Sequence, residues 1–366
     1  MPKINKEIYI GVMSGTSLDG VDVAIVDFSA DKVKVVGVKF YPYSKKLKDK
    51  IKNFGVDTCE LNTELGVLYA NCINNCLAQY NIANKQVRGI GLHGQTVAHQ
   101  PHAKYPYSRQ LGSASVVAHK TGITTVADFR NMDICAGGEG APLVPAFHSW
   151  VFKQSDKNLA VLNIGGIANI TIIPSADKSK VLGFDTGPGN CLSDDWTGKN
   201  LNKSYDRNGL WAKSGKVNLT LLNAMLKDEY FSRSEPKSTG REYFNLDWLA
   251  RFSLGDYNPE DIQATVLELV AIIIVDAIKK YPIDEALICG GGIHNKFLFE
   301  KLEDKLQPLS LLSTASKGID PDMVEAVAFA WLARQTINSK PGNLPSVTGA
   351  RKPVILGAIY QGAIIE

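Results

Sequence analysis

Short apolar runs separated by turn residues open each half of the chain. Ile8–Gly11 and Val21–Phe28 flank a loop of Gly, Ser, Thr and Asp, and Leu159–Ile164 and Ile167–Ile173 flank Gly165-Gly166. Apolar runs that flank a tight turn predict β-hairpins. Because a hairpin opens both halves, the pattern predicts two halves of similar design.

A second periodicity predicts helices between further strands. Apolar residues recur every three or four positions over Asn62–Tyr80, which predicts an amphipathic helix. Asn258-Pro259-Glu260-Asp261 predicts an N-cap and first turn for a buried helix over Pro259–Lys280, and Asp320-Pro321-Asp322 predicts another helix start in the same way. Further predicted strands are Val33–Tyr41, Val87–Leu92, Ile123–Ala127, Val181–Phe184, Glu285–Cys289 and Val354–Tyr360. This alternation favours an α/β fold with mixed sheets.

The composition excludes several classes of protein. The chain has 366 residues, enough for two or three domains, and a net charge of +3, which does not indicate a nucleic-acid or membrane partner. It contains neither an apolar run of transmembrane length nor a signal-peptide core at its start, so we expect a cytoplasmic protein. The six cysteines form no CxxC, so we expect reduced thiols, and the histidines lack metal-ligand spacing.

Three glycine turns are candidates for phosphate contacts. Gly15–Gly20 has P-loop spacing, but Val21-Asp22 replaces the Lys-Ser/Thr of a P-loop. Leu192 stands where a dinucleotide fingerprint needs its third glycine after Gly187 and Gly189. The turns that remain are Ser14–Asp19, Gly165–Gly166 and Gly290–Gly292. One such turn is usually only a turn, but three at strand ends favour a nucleotide site.

Polar side chains at predicted strand ends are the candidates for chemistry. Asp185 follows an apolar run and is either a catalytic carboxylate or the cap of its own turn. Asp128 and Arg130 form either a functional pair or a local ion pair. Glu325 lies in an otherwise apolar helix, so it needs a cationic partner or a polar cleft. The cluster His93–Thr96 suits sugar hydroxyls, although a lone histidine is more often structural.

The motifs together resemble one family, the anhydro-N-acetylmuramic acid kinases. They occur in family order over almost the whole chain and are GVMSGTSLDGVD (11–22), GLHGQT (91–96), DFR (128–130), GGEGAPLVPAFH (137–148), NIGGIAN (163–169), FDTGPGN (184–190), PKSTGREYF (236–244), CGGGIHN (289–295) and LGAIY (356–360). Glu139 departs from the family pattern, which has Gln there, and puts the local hydrogen bonds of that loop in doubt.

The resemblance implies an α/β, two-domain, actin-like ATPase fold with a central cleft, as in sugar kinases and Hsp70. It implies a first domain over residues 1–140 and about 345–366, and a second over 141–344. The implied reaction is 1,6-anhydro-N-acetylmuramic acid + ATP + water to N-acetylmuramate 6-phosphate + ADP in peptidoglycan recycling. The implied cofactors are ATP and Mg²⁺, with Mg²⁺ carried by ATP and not by a protein metal site. The family also suggests a homodimer.

The resemblance implies roles for particular residues. Asp185 would be the catalytic base. The substrate contacts would be His93, Gln95, Thr96, Asp128, Arg130, Thr186 and Glu325. The ATP contacts would be Gly15, Thr16, Ser17, Leu18, Asp19, Gly20, Val21, Asp22, Asn163, Gly165, Gly166, Gly290, Gly291, Gly292 and Asn295.

Two other functions stay open at this point. An Hsp70-like or actin-like ATPase would use the same fold without a sugar. A glycosidase needs two carboxylates, which Asp185 and Glu325 supply by type, but it has no need of three glycine turns.

Overall fold

The computed structural model describes residues 6–53 and 58–362. Strands and helices alternate along most of this part of the chain. The strands are β1 (Ile8–Ser14), β2 (Gly20–Asp27), β3 (Lys34–Pro42), β4 (Val87–Gln100), β5 (Tyr107–Leu111), β6 (Thr125–Ala127), β7 (Leu159–Ile164), β8 (Ile167–Ile173), β9 (Leu182–Pro188), β10 (Glu285–Cys289), β11 (Ser310–Ser313) and β12 (Ala358–Tyr360).

The helices confirm the two long segments predicted from periodicity. They are α1 (Lys45–Lys52), α2 (Thr58–Gln79), α3 (Ala114–Thr121), α4 (Phe129–Cys135), α5 (Val144–Phe152), α6 (Cys191–Leu201), α7 (Leu210–Ser214), α8 (Leu219–Met225), α9 (Glu229–Ser232), α10 (Leu246–Ala250), α11 (Pro259–Lys279), α12 (Lys296–Leu306), α13 (Val324–Ile337) and α14 (Pro345–Thr348).

Two sheets of the same design confirm the α/β class and the duplication predicted from the hairpins. In the first sheet the order is β12-β6-β4-β1-β2-β3, with β5 paired to β4, and in the second it is β11-β10-β7-β8-β9. Each contains an antiparallel meander of three strands, β1-β2-β3 or β7-β8-β9. Each then places a later strand parallel to the first strand of its meander, β4 beside β1 and β10 beside β7.

The chain divides into two compact units that differ from the domains predicted from the sequence. The first unit comprises Met1–Val151 and Met323–Glu366, and the second comprises Phe152–Asp322. The sequence-based division assigns residues 141–344 to the second domain and therefore separates α13 from the first. In the structure α13 packs on β1 and β4 of the first unit. That packing depends on residues distant in sequence, which a reading of Gly and Pro content does not detect.

Helix α13 reaches the first sheet through two glycines. A Cβ on Gly11 would overlap the carbonyl oxygen of Ala326, and a Cβ on Gly91 would overlap that of Phe329. On the other face of β1, Ile8, Ile10 and Val12 join a core that contains α2 residues. Strand β1 is therefore covered on both faces, which explains why all its residues are buried.

One predicted helix start, that of α11 at Pro259, is confirmed, and the other needs correction. Asn258 occupies the cap position of α11, but its side chain accepts no backbone N–H and instead donates to Asp261 Oδ2. Helix α13 begins at Val324, because Asp320–Asp322 form a turn in which the Asp320 carboxylate accepts from the N–H of Asp322. The Asp320 carboxylate thus serves a local turn of the backbone, as Asp side chains often do.

Candidate active site

The cluster His93–Thr96 lies inside a long strand and not at its end. Strand β4 continues to Gln100 because β5 pairs with it antiparallel. The pairing of β4 with β1 shifts register between Val12↔Leu92 and Ser14↔Gln95, so β4 holds one extra residue there. Gly94 takes a φ of +78° at this bulge, a conformation that suits glycine. The bulge gives His93 and Gln95 different surroundings.

His93 is paired with Arg130 in the first unit. Arg130 donates to His93 Nε2 from Nε at 3.3 Å and from Nη2 at 2.9 Å, and it donates from Nη1 to the carbonyl of Gly140 at 2.9 Å. Burial, with the guanidinium as a second cause, lowers the pKa of His93 to about 3. Burial also lowers the pKa of Arg130 to about 10. The pair therefore consists of a neutral imidazole and a cation.

Glu325 supplies negative charge close to this pair. Burial raises the pKa of Glu325, and Arg130 opposes that rise; conversely, Glu325 supports the charge on Arg130. Phe329, one turn further along α13, packs on the ring of His93 with centroids 4.7 Å apart. Arg130 is thus a cation whose charge acts on Glu325, and one helix carries both the carboxylate and the aromatic support of His93.

The carboxylate of Asp128 is hydrogen-bonded to Asn131 and not to Arg130. Asp128 adopts a φ of +61° just before α4, and its Oδ1 accepts from Asn131 Nδ2 at 2.6 Å. Burial raises its pKa. It contributes to a polar cavity of about 390 Å³ within the first unit, whose lining includes His93, Ser108, Gln110, Asn131 and Tyr360. Thr96 lies nearby on β4, where its hydroxyl accepts from Gln110.

A buried carboxylate that the sequence reasoning missed holds the glycine-rich segment after α4. Asp133 is fully buried and accepts from the N–H of Gly140 at 2.8 Å, from Asn343 Nδ2 at 2.6 Å and from Thr348 Oγ1 at 2.8 Å. The Gly140 carbonyl in turn accepts from Arg130, so Asp133 supports Arg130 indirectly. The signal in the sequence was the acid one turn after Arg130. Glu139, the departure from the family pattern, lies 3.6 Å from His102.

The first glycine loop has exposed polar side chains and buried apolar ones. Thr16, Ser17 and Asp19 are exposed, whereas Leu18 and Val21 are buried in the core. The N–H of Leu18 donates to the carbonyl of Gly15 at 3.2 Å, which closes the turn. Of the residues that the resemblance assigns to ATP, Leu18 and Val21 therefore have only backbone groups to offer. Gly20 packs against the carbonyl of Tyr41, and Asp22 pairs with Met13 across the hairpin.

In the second unit the Gly165-Gly166 turn joins the segment that contains Asp185. The N–H groups of Gly189 and Cys191 donate to the carbonyl of Gly166, and that of Asn190 donates to the carbonyl of Gly165. Two motifs about twenty residues apart in sequence thus form one structure. Arg241, which the sequence reasoning left without a role, lies against Gly166 and 3.8 Å from Asp195.

Three polar residues stand side by side across the second sheet. Asn163 pairs with Asn169, and Asn169 pairs with Asp185, on three neighbouring strands. Directly paired residues of antiparallel strands share a face, so the three side chains project from the same face of the sheet. Asn169 was missed, although NIGGIAN places an Asn two residues before and three residues after the Gly165-Gly166 turn.

A bulge in β9 shapes the surroundings of Asp185. The register passes from Ala168↔Gly187 to Asn169↔Asp185, which leaves Thr186 as the extra residue. Thr186 is buried, and its hydroxyl donates to the carbonyl of Ala168. The sequence predicted Asp185 at the end of a strand, but the structure places it in the middle of β9. Gly187 continues the bulge with a φ of +147°.

Contacts from α9 and from the segment after it fix Asp185. Its Oδ2 accepts from the N–H of Thr239 at 3.0 Å, its N–H donates to the carbonyl of Lys237, and its own carbonyl accepts from the hydroxyl of Tyr230. This arrangement holds the carboxylate in one orientation. The motif PKSTGREYF carried the signal, but the sequence alone did not connect it with Asp185.

The glycines after β10 lie beside Asn163. A Cβ on Gly290, which has a φ of +79°, would overlap Oδ1 of Asn163, and a Cβ on Gly292 would overlap Ile164. Gly291 is exposed, with open space where its Cβ would be. Asn295 is the N-cap of α12, since its Oδ1 accepts from the N–H of Leu298. Of the three glycines, Gly291 is therefore the one with open space beside its backbone.

Neither a metal cluster nor a membrane span appears in the residues that the structure describes. Over 6–53 and 58–362, no group of three or more His, Cys, Asp or Glu side chains is placed to hold a metal ion. Within the same ranges, each helix is too short or too polar to cross a bilayer. The six cysteines, all within the described ranges, form no disulfide bond, and burial raises the pKa of both Cys72 and Cys76 to about 11.

Two sheets of one design, each with a glycine turn beside polar side chains, define a mixed α/β protein built from a duplicated unit. The sequence profile described as "Anhydro-N-acetylmuramic acid kinase" matches residues 7–362. The chain belongs to this family.

Individual relatives agree with the profile. A protein of Pasteurella multocida (strain Pm70) named anhydro-N-acetylmuramic acid kinase is 48% identical over 366 residues, which covers 96% of each chain. A protein of the same name from Aliivibrio fischeri is 45% identical, over 97% of this chain and 99% of the relative. Among solved structures, component A of the Acidaminococcus fermentans (R)-2-hydroxyglutaryl-CoA dehydratase is similar at 13% identity and a TM-score of 0.49, over 91% of this chain and 99% of that one.

Proposed function

We propose that the protein uses ATP and water to convert 1,6-anhydro-N-acetylmuramic acid into N-acetylmuramate 6-phosphate and ADP, as a step of cell-wall recycling. The observation that carries this proposal is membership of the anhydro-N-acetylmuramic acid kinase family over residues 7–362. A sugar-free ATPase and a glycosidase are not favoured, because the family acts on a sugar and transfers a phosphoryl group.

The proposed chemistry requires a general base. In the anhydro sugar O6 is a bridging ether, so water attacks the anomeric carbon while the bond from that carbon to O6 breaks. O6 then forms a bond to the γ-phosphorus, and the bond from that phosphorus to the β–γ bridging oxygen breaks to release ADP. Asp185 accepts the proton of the attacking water. The N–H of Thr239, donating to Oδ2, supports this role because it fixes the orientation of the carboxylate.

We assign the sugar to groups of the first unit. Arg130 suits the lactyl carboxylate of the substrate, because it is a partly buried cation already oriented by His93 and Gly140. His93, Thr96 and Asp128 supply neutral and anionic partners for hydroxyl groups, and Glu325 contacts the sugar near the bridge. Thr186 stabilises the bulge beside Asp185, because its buried hydroxyl donates a hydrogen bond to the carbonyl of Ala168.

We assign ATP to the glycine turns. The exposed residues of the first loop and the Gly165-Gly166 turn suit the phosphates, and the exposed backbone at Gly291 in the Gly290–Gly292 turn suits the adenosine. When bound, Mg²⁺ neutralises charge on the phosphates, and we propose that it is carried by ATP. Further proposals are a cytoplasmic location, which agrees with six described cysteines that form no disulfide bond, and a homodimer, which sedimentation tests.

The test is turnover in ¹⁸O-water with the anhydro sugar and Mg-ATP. We expect label on the anomeric hydroxyl and none in the transferred phosphate, because water attacks carbon and O6 attacks phosphorus. Label in phosphate would indicate simple ATP hydrolysis, and ATP consumption that does not depend on the sugar would contradict the proposal.

A further inference from the structure

Four buried polar side chains form a continuous line beneath the first glycine loop. Tyr69 Oη lies 3.0 Å from Tyr43 Oη, which lies 2.6 Å from Ser14 Oγ. Ser14 Oγ lies 2.7 Å from Gln95 Oε1, and Gln95 Nε2 lies 3.1 Å from the carbonyl oxygen of Gly15. The four residues are between 0% and 6% exposed. Such a buried line needs a partner for each polar atom.

The chemistry of the groups fixes the direction of every hydrogen bond in the line. An amide oxygen only accepts, so Ser14 donates to Gln95 Oε1. Ser14 has one proton, so its oxygen accepts from Tyr43, and by the same count Tyr43 accepts from Tyr69. Burial raises the pKa of both tyrosines, which keeps them protonated as donors. The amide of Gln95 has only one orientation that suits both of its neighbours.

The line ends on the atom that closes the glycine loop. The carbonyl of Gly15 accepts from the N–H of Leu18 within the turn and from Gln95 Nε2 below it. Thr16 and Ser17 lie between these two anchored residues and are exposed. The bulge at Gly94 brings Gln95 opposite Ser14 in the paired strands. Both amide atoms of Gln95 are therefore occupied, and the side chain is 1% exposed.

We infer that Gln95 is a positioning residue of the first glycine loop, and that Tyr43 and Ser14 hold it in place. This inference rests on the proposed function, which assigns that loop to the phosphates of ATP. It removes Gln95 from the sugar contacts expected from the sequence. It also means that β4 serves both substrates, because His93 supports Arg130 on one side of the bulge and Gln95 supports the loop on the other.

The test measures nucleotide binding apart from turnover. Isothermal titration calorimetry with Mg-ADP on the full chain compares wild type with Gln95→Met, which keeps the volume of the side chain and removes both amide contacts. Tyr43→Phe removes one hydroxyl from the line, and it is the variant to be measured if Gln95→Met does not fold. The matched control is Tyr80→Phe, since that hydroxyl bonds only the backbone of Val38.

We expect Gln95→Met to weaken Mg-ADP binding about tenfold and to raise the KM for ATP, while the KM for the anhydro sugar stays within about twofold. Tyr43→Phe shifts in the same direction by less, and Tyr80→Phe binds as wild type does. Unchanged Mg-ADP affinity in a folded Gln95→Met protein, or a raised KM for the sugar alone, would overturn the inference. A wild-type protein that binds Mg-ADP but phosphorylates no sugar would refute only the proposed function, because the calorimetric comparison needs no sugar.

Discussion

Arg130 donates two hydrogen bonds to a single acceptor, the Nε2 atom of His93. A nitrogen that accepts from a guanidinium carries no proton, so the one proton of the neutral ring is on Nδ1. The depressed pKa of His93, about 3, agrees with this arrangement. His93 therefore orients a cation and does not act as an acid or base near neutral pH.

Replacing Arg130 by Lys should impair sugar recognition. A single ammonium cannot reproduce the planar set of donors that reaches both His93 and Gly140. We expect the KM for the anhydro sugar to rise roughly 10- to 100-fold, from the loss of charge-assisted hydrogen bonds. Steady-state kinetics checks this, with Arg88→Lys on the exposed start of β4 as control. An unchanged KM would exclude Arg130 from the sugar site.

Replacing Asp185 by Asn should abolish product formation and spare nucleotide binding. The amide keeps an acceptor for the N–H of Thr239 but cannot take a proton from water. Loss of a general base costs about 10²–10⁴-fold in rate. Product assays and calorimetry with Mg-ADP measure the two effects, and Asp256→Asn on an exposed turn is the control. Turnover near that of wild type would remove Asp185 from the base role.

Replacing Asn169 by Ala should lower kcat about tenfold, from the loss of one hydrogen bond to the reacting groups. Asn169 stands between Asn163 and Asp185 on one face of the second sheet. Kinetics with both substrates saturating tests this, with the exposed Asn223→Ala as control. If only stability changes, Asn169 is a structural residue.

Replacing Gly91 by Ala should destabilise the first unit. The new Cβ would overlap the carbonyl of Phe329, and α13 would have to move away from β4. Overpacking of this kind costs about 1–3 kcal/mol or more in the free energy of unfolding. Denaturant unfolding measures the loss. Gly255→Ala should be nearly neutral, because nothing lies within 4 Å of a Cβ there. Equal stability of the two variants would contradict the close packing of α13.

Two buried histidines should make the protein sensitive to acid. Burial lowers the pKa of His148, like that of His93, to about 3. Since the unfolded value is about 6.5, the unfolded chain binds the proton more tightly, so stability is full above about pH 6.5 and falls as pH drops toward 3. Each histidine contributes a slope of about 1.4 kcal/mol per pH unit in that range.

Replacing His148 by Gln should therefore reduce the slope of unfolding free energy against pH below about pH 6.5. Guanidinium unfolding at several pH values measures it. His119→Gln, on the exposed end of α3, is the control for a histidine-to-glutamine replacement at the surface. A slope that does not depend on His148 would show that this residue is already protonated in the folded protein.

Local patterns in the sequence determined those strands and helices whose signals lie within a few residues of one another. The hairpin β7–β8 has the predicted bounds, and α11 differs from its prediction only at its last residue, because the alternation of apolar positions and the Pro at its start are local properties. The family motifs also determined the fold class and the family, since many short signals in a fixed order are specific together.

Tertiary structure decided what each polar group contacts. The sequence could not show that β4 extends past His93, because the extension depends on pairing with β5. Nor could it show that the amide oxygen of Gln95 accepts a hydrogen bond from Ser14, which lies about eighty residues earlier in the chain. It placed α13 in the wrong compact unit, and it gave no role to Asp133, whose partners Asn343 and Thr348 lie more than two hundred residues away. Hydrogen bonds and packing between distant segments leave no periodicity in the chain, so only the folded structure decides them.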